Sequence, residues 1–221
     1  MEPQTGAEVQ PPFDPDARFK YVGGDPAVDL VNTVDWTARG LEADRLSSYD
    51  RLLEWATGAG VIDAAVAARL ARRAASDPFA ARAAVRDAAA LRGVLERIFR
   101  ALTSGGDVTR PVAELNDGML RRAAGALALT RGDEGALALG WPSLADSLVL
   151  PLVVTAWRAA GLLASGDAAR LRRCGGVDCG WYFVDRSRNG LRHWCEMETC
   201  GTREKSRRRA ARRAGALIST P

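Results

Sequence analysis

Cys174, Cys179, Cys195 and Cys200 constrain this chain more than any other feature, because they are its only cysteines and share one stretch, CGGVDCGWYFVDRSRNGLRHWCEMETC. Their spacing is C-x4-C, fifteen intervening residues, then C-x4-C. Two equal pairs separated by enough chain for one β-hairpin can bring four thiolates to a point, the tetrahedral arrangement that Zn2+ accepts. So short and polar a segment cannot build a hydrophobic core. A bound metal replaces that core, contributing on the order of 10 kcal/mol or more in isolated zinc modules. Four cysteine ligands leave no open position for water, so one structural Zn2+ is expected rather than a catalytic ion. Two disulfides are the alternative use of the same residues. His193, the only histidine, is an alternative ligand in place of Cys195, although alternation along a strand points it the other way.

Inside the module, Trp181 to Val184 has the residue types of a strand, and Arg188-Asn189-Gly190 carries the Asn-Gly hairpin signal. Leu191 to Trp194 is expected to return as the second strand. Gly175, Gly176, Gly180 and Gly201 flank the cysteines, where tight turns can aim backbone N–H groups at sulfur. Beyond Cys200 the chain reads GTREKSRRRAARRAGALIST. Alanine and arginine are good helix formers, so a helix beginning at the metal is expected. At about 100° per residue, Lys205, Arg208, Arg209 and Arg212 share one face, with Arg203, Arg207 and Arg213 beside it. No apolar stripe crosses this arginine-rich part, which argues against a core-facing helix.

The net charge of +4 conceals a split. Residues 168–221 hold 13 Lys+Arg against 5 Asp+Glu, net +8, which leaves 18 against 22, net −4, for residues 1–167. Positive charge gathered on a metal-anchored helix is the footprint of a polyanion partner, and nucleic acid, duplex DNA first, is the expected one. Arg186, Arg188 and Arg192 on the hairpin would extend the same surface. One such module has a small footprint, so a homodimer is expected if DNA sequence is read. Exposed Trp181, Tyr182 or Trp194 stacking on unpaired bases defines the alternative, a zinc-stabilised RNA-binding or protein-interaction module.

Ahead of the cysteines the chain reads as helices. Residues 1–19, rich in Pro, Gln, Asp and Glu, suit a disordered arm. Residues 20–167 suit a helical domain, with Gly166-Asp167 as its boundary to the zinc-binding module at 168–221. Asp25 and Pro26 open a short helix in which Val28, Val31 and Asn32 share a face. Ser47 or Ser48 caps a helix through Trp55 that Gly58 and Gly60 stop, and Val61 to Ala75 is another. Asp77-Pro78 opens a long helix ending at Gly105-Gly106, with Arg82, Arg86, Arg92 and Arg97 on solvated, ion-paired faces. Pro111 to Ala124 is helical, and ALALT and ALALGW around RGDEG form a hairpin. Ser143 to Ala164 reads as a buried helix that Pro151 should bend or split. The fold class is mainly α with a small β-hairpin: a helical N-terminal domain, then a zinc-ribbon-like module of four cysteines in which a β-hairpin precedes a basic helix.

The longest apolar stretch, Leu144 to Leu163, is interrupted by Asp146, Pro151 and Arg158, which argues against a membrane span. The N-terminus has no basic region followed by an apolar run, so no secretory signal is read and a cytoplasmic protein is expected. In that reducing compartment clustered cysteines are more often ligands than disulfides. An enzyme built on Asp25, Asp29, Asn32 and Asp35 would call for a nucleophile–histidine pair, a phosphate loop or a catalytic metal motif, and the sequence offers none there. Helix caps and solvated helix faces account for those carboxylates.

RRCGGVDCGWYFVDRSRNGLRHWCEMETCGTREKSRRRAARR closely resembles the CGNR zinc-finger module. VGGDPAVDLVNT, with the later SYDRLLEWATGAG, resembles the ABATE domain that precedes that module in bacterial stress-induced transcription regulators. The resemblance spans roughly residues 20–213 and is most specific in the cysteine spacing, the F-x-D-x-S-x-N stretch and WC…CG-x-R-x-K. It implies that Cys174, Cys179, Cys195 and Cys200 ligate zinc. With the charge split and the metal-anchored basic helix, the expected function is a DNA-binding transcription regulator whose helical domain senses an unknown ligand, such as a small-molecule effector, or a partner. Where the family has Cys-Gly-Asn-Arg, this chain has Cys200-Gly201-Thr202-Arg203, and Thr202 is expected to cap the helix through its hydroxyl.

Overall fold

The computed structural model describes residues 18–37, 40–131 and 135–218. All but the last two residues of the expected N-terminal arm lie outside them. In chain order the elements are α1 (Pro26–Val31), β1 (Val34–Thr37), β2 (Gly40–Asp44), α2 (Tyr49–Gly58), α3 (Ala64–Ser76) and α4 (Pro78–Ser104). There follow α5 (Thr109–Leu115), α6 (Arg121–Ala126), β3 (Ala128–Arg131), β4 (Leu137–Gly140), α7 (Leu150–Ala164), β5 (Leu171–Arg173), β6 (Tyr182–Val184) and α8 (Thr202–Ile218). The strands form antiparallel pairs, β1 with β2, β3 with β4 and β5 with β6. The architecture is mainly helical with small strand pairs, as the hydrophobic periodicity predicts.

Helix starts follow from their caps. Asp25, Ser48, Asp63 and Asp77 each accept a first-turn backbone N–H of α1, α2, α3 and α4 respectively, satisfying donors that the helix itself cannot. Pro26 and Pro78 stand where a missing N–H does no harm. α4 ends on Gly105 at φ +73, a left-handed cap that glycine adopts without steric penalty. The core gathers around α1, whose Ala27, Val28 and Leu30 are fully buried, and which packs against α4, α7 and β6. Trp55, Phe99, Leu95 and Leu152 surround it as part of one cluster.

Several expectations are corrected. Pro151 does not bend a helix, because α7 starts at Leu150 and the proline sits in its first turn. The segment 111–124 is two helices, separated by a π-helical turn at Asn116–Leu120 in which Gly118 is non-helical. The β1–β2 pair is a further difference, since VDWT and GLEAD do not alternate cleanly and a bulge interrupts their register at Asp35/Trp36. Arg92 is ion-paired, as expected, but buried rather than solvated: its guanidinium donates to Thr33 Oγ1 at 3.0 Å and to the Asp44 carboxylate at 2.7 Å. Asp29 and Asp35 are likewise buried, and Asp35 is paired with Arg45 at 2.5 Å.

The strand pairing near the cysteines also differs. β6 pairs with β5, not with Leu191–Trp194. The Asp185 carboxylate explains this by accepting from Ser187 N (2.9 Å), Ser187 Oγ (2.6 Å) and Arg192 N (3.0 Å). These bonds close residues 185–192 into a compact loop and turn the chain off the edge of β6. The Asn-Gly signal is a turn within that loop, with Gly190 at φ +62. A hairpin therefore precedes the basic helix, but the cysteine-bearing turn 174–181 connects its strands.

Candidate metal centre

The loop after β5 carries Cys174 and Cys179. Cys195 follows the Asp185-closed loop, and Cys200 lies in a π-helical turn, Met197–Gly201, that runs directly into α8. The four Sγ atoms all lie within 4.8 Å of one another. Cys179 and Cys195 sulfurs are 3.8 Å apart, and those of Cys195 and Cys200 are 3.6 Å apart. Zn–S bonds of about 2.3 Å in a tetrahedron place sulfurs about 3.8 Å apart, whereas a disulfide needs about 2.05 Å. All four cysteines are free. His193 is exposed and does not join the cluster.

Backbone donors converge on the sulfurs. Cys174 Sγ accepts from Cys195 N at 3.3 Å and from Gly176 N at 3.5 Å, contacts that stabilise thiolate charge. Space at Gly176 is tight: a Cβ there would lie 3.2 Å from Cys179 Cβ and 3.3 Å from Cys200 Sγ, so the cysteine cluster would have to give by a few tenths of an ångström. Thiols this close compete for protons. Hydrogen bonds from Cys179, Cys195 and Cys200 push Cys174 down, while Cys179 and Cys195, acting as donors, are pushed up. Four thiolates together demand a cation, and a soft-tolerant dication fits this donor set.

The site is braced from the helical side. Trp181, Phe183 and the buried cysteines form a small cluster against which Val22 and Trp194 pack. Trp181 Nε1 donates to Val34 O at 2.9 Å, and Val184 N to Gly23 O at 2.8 Å. Asn32 makes a two-way bond with Tyr182, accepting its N–H and donating to its carbonyl, each at 2.9 Å. Arg192 holds Trp194 O (3.0 Å), Val22 O (2.9 Å) and Cys195 O, with its guanidinium 4.2 Å over the Phe183 ring. Sequence reasoning misses Asn32 and Val22 in this role. The only signal is their place in the VGGDPAVDLVNT stretch.

The aspartates of that stretch hold the backbone in place. Asp25 caps α1, and Asp29 accepts the Gly23 N–H at 2.8 Å. Burial pushes the Asp29 carboxyl up to about 7, with Gly23 and Arg192 opposing and Asp25 adding to the rise. An unfolded aspartate ionises near 4, so the folded chain holds a proton that the unfolded chain has lost. Stability therefore falls as pH rises toward 7 and levels off above it. Asp29→Asn keeps an oxygen for Gly23 and removes the charge. Its urea-unfolding stability relative to the parent is expected to improve by on the order of 2 kcal/mol between about pH 5.5 and 8, a window chosen above the pH at which cysteine protonation releases metal.

The basic residues divide by environment. Arg203, Lys205 and Arg209 are exposed on α8, as are Arg207 and Arg208, which also pair with Glu204 at 2.9 and 2.8 Å. Those two arginines hold Glu204 down to about 2. The side chains of Arg212 and Arg213 lie outside the described residues. Arg188 is exposed on the 185–192 loop, whereas Arg186 is bonded to Asp167 at 2.7 Å and to Gly24 O. Arg192 is turned inward, as described above. Thr202 is not the helix cap expected of it, because Met197–Gly201 already forms the preceding turn; its hydroxyl donates to Met197 O at 3.1 Å. Trp181 and Tyr182 are buried, so neither is free to stack on a base.

A helical protein with four convergent cysteines at the root of a basic helix is of the zinc-finger class, and the CGNR zinc finger matches residues 170–213. The chain belongs to the ABATE family, described as "Putative stress-induced transcription regulator", which matches residues 24–166. Neither is a family of enzymes. No curated protein matches the chain. Among the described residues no helix is long and apolar enough to cross a membrane.

Proposed function

We propose that Cys174, Cys179, Cys195 and Cys200 hold a single structural Zn2+, and that this zinc module presents α8 to duplex DNA. The chain then acts as a transcription regulator in which residues 168–221 contact DNA, as a homodimer, and the helical domain at 20–167 responds to an effector. The observation that carries this reading is the state of α8. From Lys205 to Ala211 every residue is exposed, yet the helix is rooted in the turn that holds Cys200. A stretch of helix that buries none of its residues from Lys205 to Ala211 gains nothing there from the core, so its run of positive charge is best used on phosphates. Arg203, Lys205, Arg207, Arg208 and Arg209 are the proposed contacts, with Arg188 beside them. Arg186 and Arg192 serve the junction instead.

Fluorescence anisotropy with pooled duplex fragments tests this. If the five described α8 cations of each protomer each neutralise one phosphate, the log–log salt slope is about −4.5 per protomer and about −9 for the dimer. Lys205→Ala and Arg209→Ala should each flatten it by about 0.9 per protomer without loss of fold. Binding that ignores salt would sink the reading, and preference for single-stranded RNA over duplex would move it to RNA.

A further inference from the structure

A cleft of about 900 Å3 opens between the start of α3, α7 and the end of β4. Ile62, Val66, Val154, Trp141 and Trp157 line it, and its size is that of small-molecule sites. The two tryptophans meet edge to face with centroids 6.5 Å apart. Trp141 uses its indole N–H on Ala123 O at 2.9 Å, so it offers the cleft aromatic surface rather than a donor.

The charged lining carries both signs, Asp63 with Arg69 and Arg158. Asp63 spends carboxylate oxygen on the Val66 N–H at 2.7 Å, as the cap of α3. Arg69 and Arg158 also line the cleft. Arg69 is ion-paired with Asp146 at 2.9 Å and donates Nη2 to Ala145 O at 3.2 Å, while its buried Nε–H has no hydrogen-bond partner among the described residues. Arg158 is exposed on α7. Two guanidinium groups thus border an aromatic cleft within residues 1–167, whose net charge is −4.

We propose that this cleft binds a small aromatic carboxylate, its ring against Trp141 and Trp157 and its carboxylate on Arg69 and Arg158. The proposal rests on the reading of the helical domain as a sensor and names the effector's class. The location suits that role. Trp157 and Arg158 also line a second groove with Asp25, Asp167 and Arg186, where the helical domain meets the zinc module.

The test uses the full zinc-loaded chain and calorimetric titration with 2-naphthoate and its neutral analogue 2-naphthamide. Naphthoate should bind at least about tenfold tighter, because charge-assisted bonds to guanidinium are lost in the amide. Arg158→Gln and Arg69→Gln should each weaken naphthoate by about fivefold and leave naphthamide unchanged. Trp157→Leu should weaken both probes. Equal affinity for the two probes, no heat from either at millimolar concentration, or a naphthoate affinity indifferent to both arginine substitutions would overturn the proposal. DNA binding is not read in this titration, so failure of the DNA reading leaves its outcome intact.

Discussion

Cys195→Ser is expected to abolish stoichiometric zinc and to loosen the helical domain as well as the module. Cys195 is 2 % exposed, its sulfur is in contact with those of Cys179 and Cys200, and its N–H is bonded to Cys174 Sγ. A serine oxygen is a poor substitute for thiolate, and the lost metal is worth on the order of 10 kcal/mol in zinc modules. That is comparable to the whole stability of a typical domain, about 5–15 kcal/mol. The consequence extends past the cysteines because Val22 packs in their cluster and Trp181 is bonded to Val34. Native mass spectrometry should find about one zinc in the parent and none in the variant. Amide exchange across 22–35 should accelerate together with exchange across 174–201. Protection of 22–35 that survives metal loss would show that the two parts fold separately, and would overturn this expectation.

What the sequence makes legible is what local chemistry dictates. The caps at Asp25, Ser48 and Asp77 and the stop at Gly105 need only neighbouring residues, and they stand where the residue types predict, whereas the helix read from Val61 starts later, at Ala64, behind its Asp63 cap. Cysteine spacing is equally local in meaning, since four thiols of one short stretch have few other uses. The partner of β6 is a different matter. Trp181–Val184 is a strand by composition, but its pairing is decided by Asp185, whose three bonds fold the following residues into a loop. Arg92 and Arg192 mislead for a related reason. An arginine is read as solvated unless something anionic or carbonyl-rich surrounds it, and Asp44 and Val22 O lie far away in sequence. The Asn32 side chain is a polar group whose partner, Tyr182, arrives only after the chain has folded back on itself.

Asn32 supplies the second large effect, because the amide completes a backbone that β pairing leaves open. Tyr182 sits in β6, and its N–H and C=O both turn to the Asn32 side chain at 2.9 Å, buried on both sides. An amide is the one side chain of this length that donates and accepts at once. Asn32→Ala leaves two buried backbone groups unpaired, at about 1–3 kcal/mol each, so a loss of roughly 2–6 kcal/mol in urea unfolding is expected. Asn32→Asp separates pairing from packing. Its carboxylate still accepts the Tyr182 N–H but sets a second oxygen against the Tyr182 carbonyl, so at neutral pH it should be at least as damaging as alanine. A protonated carboxyl has an O–H that can donate to that carbonyl, so the aspartate variant should recover relative to alanine as pH falls toward 5.5. An Asn32→Asp deficit that does not change with pH, or an Asn32→Ala variant of parental stability, would mean that Tyr182 is held by its ring contact with Phe99, 5.8 Å between centroids, and not by the amide.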